Sequence, residues 1–366
     1  MKAIIFMSFI LLFQTAALTA DDAQPANVPQ VEIVFTLDTT GSMSGLIEGA
    51  KQKIWWIANQ VIQGQPRPEF KIGLVGYRDK GDTYITQVYD LNDDLDEVYQ
   101  NLLSFQAEGG GDTPEHVNQA LHESLNNISW SASRDVLKMV FLVGDAPPHT
   151  DYDDGFNHQA TCRDAATRDI IINTIQCGSD PETENYWNEI AKLSEGEFAR
   201  VDQSGGMRMI PTPMDGDLAA LGAELNSTFL IWGNEELRDD EALKCTAVAA
   251  LPVPMAAERA AYISRKGKLG DADLIDAVES GEVNLATVKA ELLPEQLRGL
   301  SHEQMENYLQ DISNKRRVIE EKIESLRQNR DEYLRHQLAK IDSEDAFDLR
   351  IVKMIRHQAG RKGIAY

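Results

Sequence analysis

The sequence predicts an α/β fold: a doubly wound, mostly parallel sheet with one antiparallel edge strand, followed by an all-helical C-terminal region. Three observations carry this. Apolar, β-branched runs recur at residues 31–37, 70–76, 136–143 and 170–176, with a shorter one at 197–201. Amphipathic stretches at 44–62, 95–105, 114–127, 159–168 and 184–193 lie between them. Beyond Gly233 the strand signal disappears. Near-continuous apolar strands alternating with helices imply a parallel sheet covered on both faces.

Residues 84–89 follow their predecessor after a short turn containing Gly and Asp, so they read as the antiparallel edge strand. A last helix at 215–232 closes this domain after the loop 205–214. Residues 234–366 read as helices broken at Leu251-Pro252-Val253-Pro254 and Leu293-Pro294. Ser301 and Gln304 form a capping box at the start of a coiled-coil-like helix over about 302–340. Its seam runs Met305, Leu309, Ile312, Arg316, Ile319, Ile323, Leu326, Arg330 and Tyr333 in alternating steps of four and three. Such a seam packs on neighbouring helices or drives self-association. The expected organisation is therefore 1–20 as an address, 21–30 as a polar lead, 31–233 as the α/β domain and 234–366 as the helical region.

A length of 366 residues accommodates two or three domains. Thirty-five Lys and Arg against 59 Asp and Glu leave a net charge of −24. That balance repels phosphate backbones and anionic lipid, which argues against nucleic-acid and membrane-surface roles. Lys2, an apolar run over 3–13 and small residues ending in Leu18-Thr19-Ala20 have the order of a secretory signal. The expectation is a periplasmic or secreted protein with no retained transmembrane segment. In that oxidising setting Cys162 and Cys177 are candidates for a disulfide, since the helix near Cys162 leaves, and the strand ending at Cys177 regains, the same sheet edge.

The first strand ends in Leu37-Asp38-Thr39-Thr40-Gly41-Ser42-Met43. Asp-x-Thr-x-Ser between a strand and a helix places one carboxylate and two hydroxyls around a single tight turn. Open α/β sheets bind ligands at the carboxyl ends of their strands. Oxygen ligands alone select a hard cation, Mg²⁺ before Zn²⁺ or copper. Two further loops reach the same edge: Gly109-Gly110-Gly111-Asp112-Thr113-Pro114-Glu115, entering a helix, and Val143-Gly144-Asp145-Ala146-Pro147, leaving a strand.

With these three loops in order, residues 30–233 resemble the von Willebrand factor type A domain family. Asp38-x-Thr40-x-Ser42 looks like that family's metal-ion-dependent adhesion site, with Thr in place of the commoner middle Ser. The resemblance implies Asp38, Thr40, Ser42 and Asp145 as ligands of Mg²⁺, with Mn²⁺ or Ca²⁺ as alternatives. Thr113 is the favoured further ligand, and Glu115 is its rival because the Gly-Gly-Gly-Asp-Thr-Pro-Glu run also looks like hemicentin-type and integrin-β-type domains. The implied activity is binding, in which a protein partner's Asp or Glu carboxylate completes the coordination. A cation held by only two carboxylates keeps positive charge and attracts such a group.

The turn Tyr77-Arg78-Asp79-Lys80-Gly81-Asp82 flanks these loops and makes Arg78 and Asp79 candidates for partner contact. His149-Thr150-Asp151-Tyr152-Asp153-Asp154-Gly155 falls short of an EF-hand. No Gly-x-Ser-x-Gly elbow or credible Cys–His pair is present, so an enzyme is not expected. The competing readings are a metal-assisted hydrolase using the same site, with Glu115 or Asp79 as base, and a protein whose helical region is the active part.

Overall fold

The apolar runs form six strands, β1 (Gln30–Asp38), β2 (Glu69–Tyr77), β3 (Thr86–Asn92), β4 (Leu137–Gly144), β5 (Ile170–Cys177) and β6 (Phe198–Val201). The computed structural model describes residues 28–111, 113–340 and 346–366. The expected N-terminal address lies outside the described residues. The strand order is β3-β2-β1-β4-β5-β6, with β3 alone antiparallel. Strands β4 and β5 are buried along their whole length and β3 only partly, as central and edge positions require.

Helices α1 (Ser44–Val61) and α2 (Leu95–Ser104) cover one face of the sheet. Helices α3 (Val117–Asn126), α4 (His158–Thr167) and α5 (Pro181–Leu193) cover the other. Strand parity decides which side chain joins which core: Ile33, Phe35 and Leu37 of β1 face α1, while Val34 faces α3. From β1 the chain crosses to β2 on one side, and from β4 it crosses to β5 on the other. The carboxyl ends of β1 and β4 therefore flank the topological switch point, the crevice where open α/β sheets take ligands. In register, Asp38 stands beside Tyr77 and Leu37 beside Val143.

The helical region comprises α6 (Asp215–Asn226), α7 (Glu235–Ala249), α8 (Val253–Lys266), α9 (Leu274–Glu279), α10 (His302–Leu338) and α11 (Phe347–Ala359). It shares the larger core with the sheet, since Ala257 and Ala260 of α8, Ile319 and Ile323 of α10, and Ile351 and Ile355 of α11 sit in the same apolar cluster as α1. A smaller cluster joins α9 to the start of α10 through Leu274, Ile275, Met305 and Leu309. The expected capping box is present at Ser301 and Gln304. No helix among the described residues is long and apolar enough to cross a membrane.

Two expectations need correction, on the helix over 215–232 and on the Cys162–Cys177 bridge. The helix expected over 215–232 stops at Asn226, because Arg316 of α10 donates to the Thr228 hydroxyl at 2.9 Å and its carbonyl at 2.7 Å and turns the chain away. The heptad seam packs within the chain at Met305, Leu309, Arg316, Ile319, Ile323 and Arg330, which are buried against this protein's own helices. The Cys162–Cys177 bridge does not form, and both thiols are free. Cys177 shares strand parity with Ile171 and Ile175 and faces the α1 side, whereas Cys162 lies in the core on the α3–α5 side. The sheet itself separates the two sulfurs.

Candidate metal centre

Strand β1 delivers Asp38 to the sheet edge, fully buried. Its Oδ1 accepts from the Thr40 backbone N–H at 2.8 Å and from the Thr40 hydroxyl at 2.6 Å, which fixes the turn. The Thr40 hydroxyl is 3.2 Å from that of Ser42, so both hydroxyls and the carboxylate converge within five residues of chain. Asp38 Oδ2 is buried and has no hydrogen-bond partner.

From β4, Gly144 carries the chain past Asp38 to Asp145. A Cβ at Gly144 would stand 2.3 Å from the Tyr77 hydroxyl and 3.3 Å from Asp38 Oδ2, so only glycine allows this approach. Tyr77 is itself fully buried and cannot withdraw. Gly144→Ala is expected to cost about 1–3 kcal/mol of stability through overpacking, read by urea unfolding, and to displace the Asp38 carboxylate. Asp145 is held by Gln203, whose amide donates to its Oδ2 at 2.6 Å.

Glu115 enters from the third loop. Its backbone N–H donates to Pro147 at 3.0 Å and its carbonyl accepts from His149 at 3.1 Å, which pins it to the loop after β4. Its carboxyl turns inward against Thr40 and Gly110, and its Oε2 is buried without a hydrogen-bond partner. Thr113, two residues earlier, is exposed and makes no hydrogen bond to the cluster. Asp38, Thr40, Ser42, Asp145 and Glu115 are thus brought together, and Thr113 stays outside.

The electrostatics follow from this crowding. Burial, then the facing Asp145 carboxylate, push Asp38 up to about 7 despite its hydrogen bonds from Thr40. Burial, then Asp38, Asp79, Asp82 and Asp145, push Glu115 up to about 9. Tyr77 and Cys177 are also driven upward, first by burial and then by these same carboxylates. Negative charge is therefore concentrated here.

An oxygen-only donor set with two orphaned buried carboxylate oxygens fits a hard divalent cation. Among the described residues no three His, Cys, Asp or Glu side chains close a metal cage. Five oxygen-bearing side chains, Asp38, Thr40, Ser42, Asp145 and Glu115, fall short of the six or more oxygens a hard cation takes and so leave room for an outside ligand.

Arg78 and Asp79 are buried, which removes them from partner contact. Arg78 donates to the Gln106 carbonyl at 2.6 Å and stacks over Tyr84, and Asp79 accepts from the Tyr152 hydroxyl at 2.7 Å. They tie the surrounding loops together. In the 149–155 loop, Asp151 pairs with His149 at 2.8 Å, and Asp154 pairs with Lys80 at 2.6 Å and His116 at 3.0 Å, so these carboxylates are already engaged. Sequence reasoning missed Gln203 and Tyr77. Gln203 follows β6, whose carboxyl end reaches the same edge, and that parallel assignment was the available signal.

Fold and geometry together define an open α/β domain with an oxygen-lined crevice at its switch point. Residues 32–208 match the von Willebrand factor A domain family. The chain is 30% identical over 159 residues to an ariadne-like RING finger protein of Acanthamoeba polyphaga mimivirus, covering 42% of this chain and 14% of that one. It is 34% identical over 120 residues to von Willebrand factor A domain-containing protein 7 of Rattus norvegicus, covering 33% and 12%. The similarity therefore spans only about a seventh of either relative. Among solved structures, the SpRpn10 VWA domain matches with a TM-score of 0.37 at 14% identity, covering 50% of this chain and 92% of that one. Domains of this family are generally non-catalytic protein-interaction modules.

Proposed function

We propose that the protein is an exported, divalent-cation-dependent protein-binding module. Asp38, Thr40, Ser42 and Asp145 would hold Mg²⁺, with Mn²⁺ or Ca²⁺ as alternatives, and Glu115 rather than Thr113 is the further ligand. The cation supplies a Lewis-acidic point of positive charge, and the partner supplies an Asp or Glu carboxylate to it. The observation that carries this reading is the pair of buried, unpartnered oxygens, Asp38 Oδ2 and Glu115 Oε2, beside Asp145. Buried carboxylates without partners are costly unless a cation neutralises them. The chain's own residues orient the site: Thr40 fixes one Asp38 oxygen, Gln203 holds Asp145, and the Pro147 contact holds Glu115.

Calorimetric titration with Mg²⁺ tests the reading. Saturable one-site binding is expected, weakened at least tenfold by Glu115→Gln and little changed by Thr113→Ala. A short peptide presenting an aspartate should bind with Mg²⁺ present and not in EDTA. Absence of Mg²⁺, Mn²⁺ and Ca²⁺ binding by the unmodified protein would overturn the proposal.

A further inference from the structure

Although the protein is acidic, basic side chains gather around a cavity beside α1. Between α1, α8, α10 and α11 lies a cleft of about 360 Å³ whose lining includes Arg265, Arg327, Arg330, Arg335 and Arg356. Only two carboxylates, Glu258 and Asp331, line it with them. Five arginines around one cleft contrast with a chain whose net charge is −24. The cations come from three helices that meet only in the folded protein, so the grouping is not a solvated run of sequence.

The carboxylates are already committed. Glu258 receives Arg330 at 2.7 Å and the Asn59 amide at 3.0 Å. Asp331 is shared between Arg327 and Arg265, the latter at 3.4 Å, and Arg327 also pairs with Glu324 at 2.5 Å. Arg356 donates to the Gln60 side chain at 2.8 Å, lies 5.3 Å from the Tyr366 ring centre and, among the described residues, pairs with no carboxylate. Among the described residues Arg335 makes neither an ion pair nor a side-chain hydrogen bond, although it borders the same cleft. Burial and the neighbouring Arg327 hold Arg265 below its usual value, a sign of crowded positive charge. One wall of the cleft is apolar, formed by Trp56, Ala261 and Val352.

We infer that this cleft binds a small organic phosphate monoester, its phosphoryl group taken by Arg335 and Arg356 and its organic part packed on Trp56. Guanidinium groups present planar forks of N–H donors that match phosphate oxygens, and two from separate helices engage a tetrahedral dianion from two sides. The apolar wall distinguishes an organic phosphate from the bare ion. Arg327 and Arg330 are tied to carboxylates and shape the cleft rather than bind.

Titration calorimetry with phenyl phosphate in EDTA tests this, with inorganic phosphate, benzoate and sulfate as comparisons. EDTA keeps the measurement independent of the metal centre, and Asp38→Asn should bind phenyl phosphate unchanged. One-site binding is expected, tighter than for inorganic phosphate or benzoate, and weakened at least tenfold in the double variant Arg335→Ala, Arg356→Ala. Both positions are exposed, and unaltered thermal unfolding of the double variant shows that the fold is intact. Each single variant, measured alongside, should give an intermediate loss. No saturable binding, equal binding by the double variant, or sulfate binding as tightly as phenyl phosphate (an adventitious anion site only) would each overturn the inference.

Discussion

Asp38→Asn is expected to make the metal-free protein more stable at pH 8 while reducing its Mg²⁺ affinity by at least a hundredfold. Both effects have one cause. Asp38 is buried, faces Asp145, and has one oxygen without a partner, so its carboxyl is pushed from 3.8 up to about 7. A carboxyl raised in the folded state holds its proton more tightly there than in the unfolded chain. Its contribution to stability is full below about pH 4 and is lost as pH rises through about 7. Glu115 acts in the same direction, its loss extending through about pH 9. Metal-free wild type should therefore lose more stability between pH 5 and pH 8 than Asp38→Asn does. Added Mg²⁺ should restore wild type, with a shift in unfolding temperature that grows with pH, and should do nothing for the variant. Thermal unfolding at pH 5 and pH 8, with and without Mg²⁺, reads all four quantities. Equal pH dependence in the two proteins would mean that Asp38 is not the strained group. Strain of this kind is a common cost of a binding site, since the arrangement that suits the ligand disfavours the empty protein.

The parts of this site that sequence exposes are those built locally. Asp38, Thr40 and Ser42 lie on one turn, so strand, turn and helix signals sufficed to place them, and the parallel-strand pattern added Asp145 at the same edge. The choice between Thr113 and Glu115 was not legible, because it depends on Glu115 pairing its backbone with Pro147 and the 148 position across the switch point. Burial of Arg78 and Asp79 was hidden for the same reason: their partners Gln106 and Tyr152 sit on other loops. The disulfide expectation failed on strand parity. Edge arithmetic brought Cys162 and Cys177 to one end of the sheet, but only the faces of the flanking helices reveal that they lie on opposite sides. The polar members of the α10 seam were visible as anomalies in a heptad pattern. Their partners, Asp273 for Arg316 and Asp215 with Glu258 for Arg330, lie far away in sequence.

Those seam arginines carry the largest expected effect on stability. Arg330 donates to Asp215 at 2.7 Å and to Glu258 at 2.7 Å, and all three side chains are buried, the arginine only 3% exposed. Burial alone would lower the Arg330 guanidinium, but Glu258 and Asp215 outweigh it and raise it. Asp215 also accepts from Thr212 at the start of α6, and Glu258 from Asn59 of α1, so one guanidinium joins α10 to three other helices. Arg330→Ala strands two carboxylates inside the protein and should cost about 3–5 kcal/mol, as breaking a buried ion pair on one side does. Arg330→Met keeps the apolar stem and should be almost as damaging, because the stranded charges and not the lost packing dominate. The triple variant Arg330→Met, Asp215→Asn, Glu258→Gln removes the charges together and should recover most of the loss, since a neutral cluster of similar volume carries no uncompensated ion. Urea unfolding of the wild type, Arg330→Met, the double variant Asp215→Asn, Glu258→Gln and the triple variant closes the cycle and gives the coupling energy. If the triple variant were no more stable than Arg330→Met, the cluster would owe its stability to shape, and the seam would behave as an ordinary packed helix face.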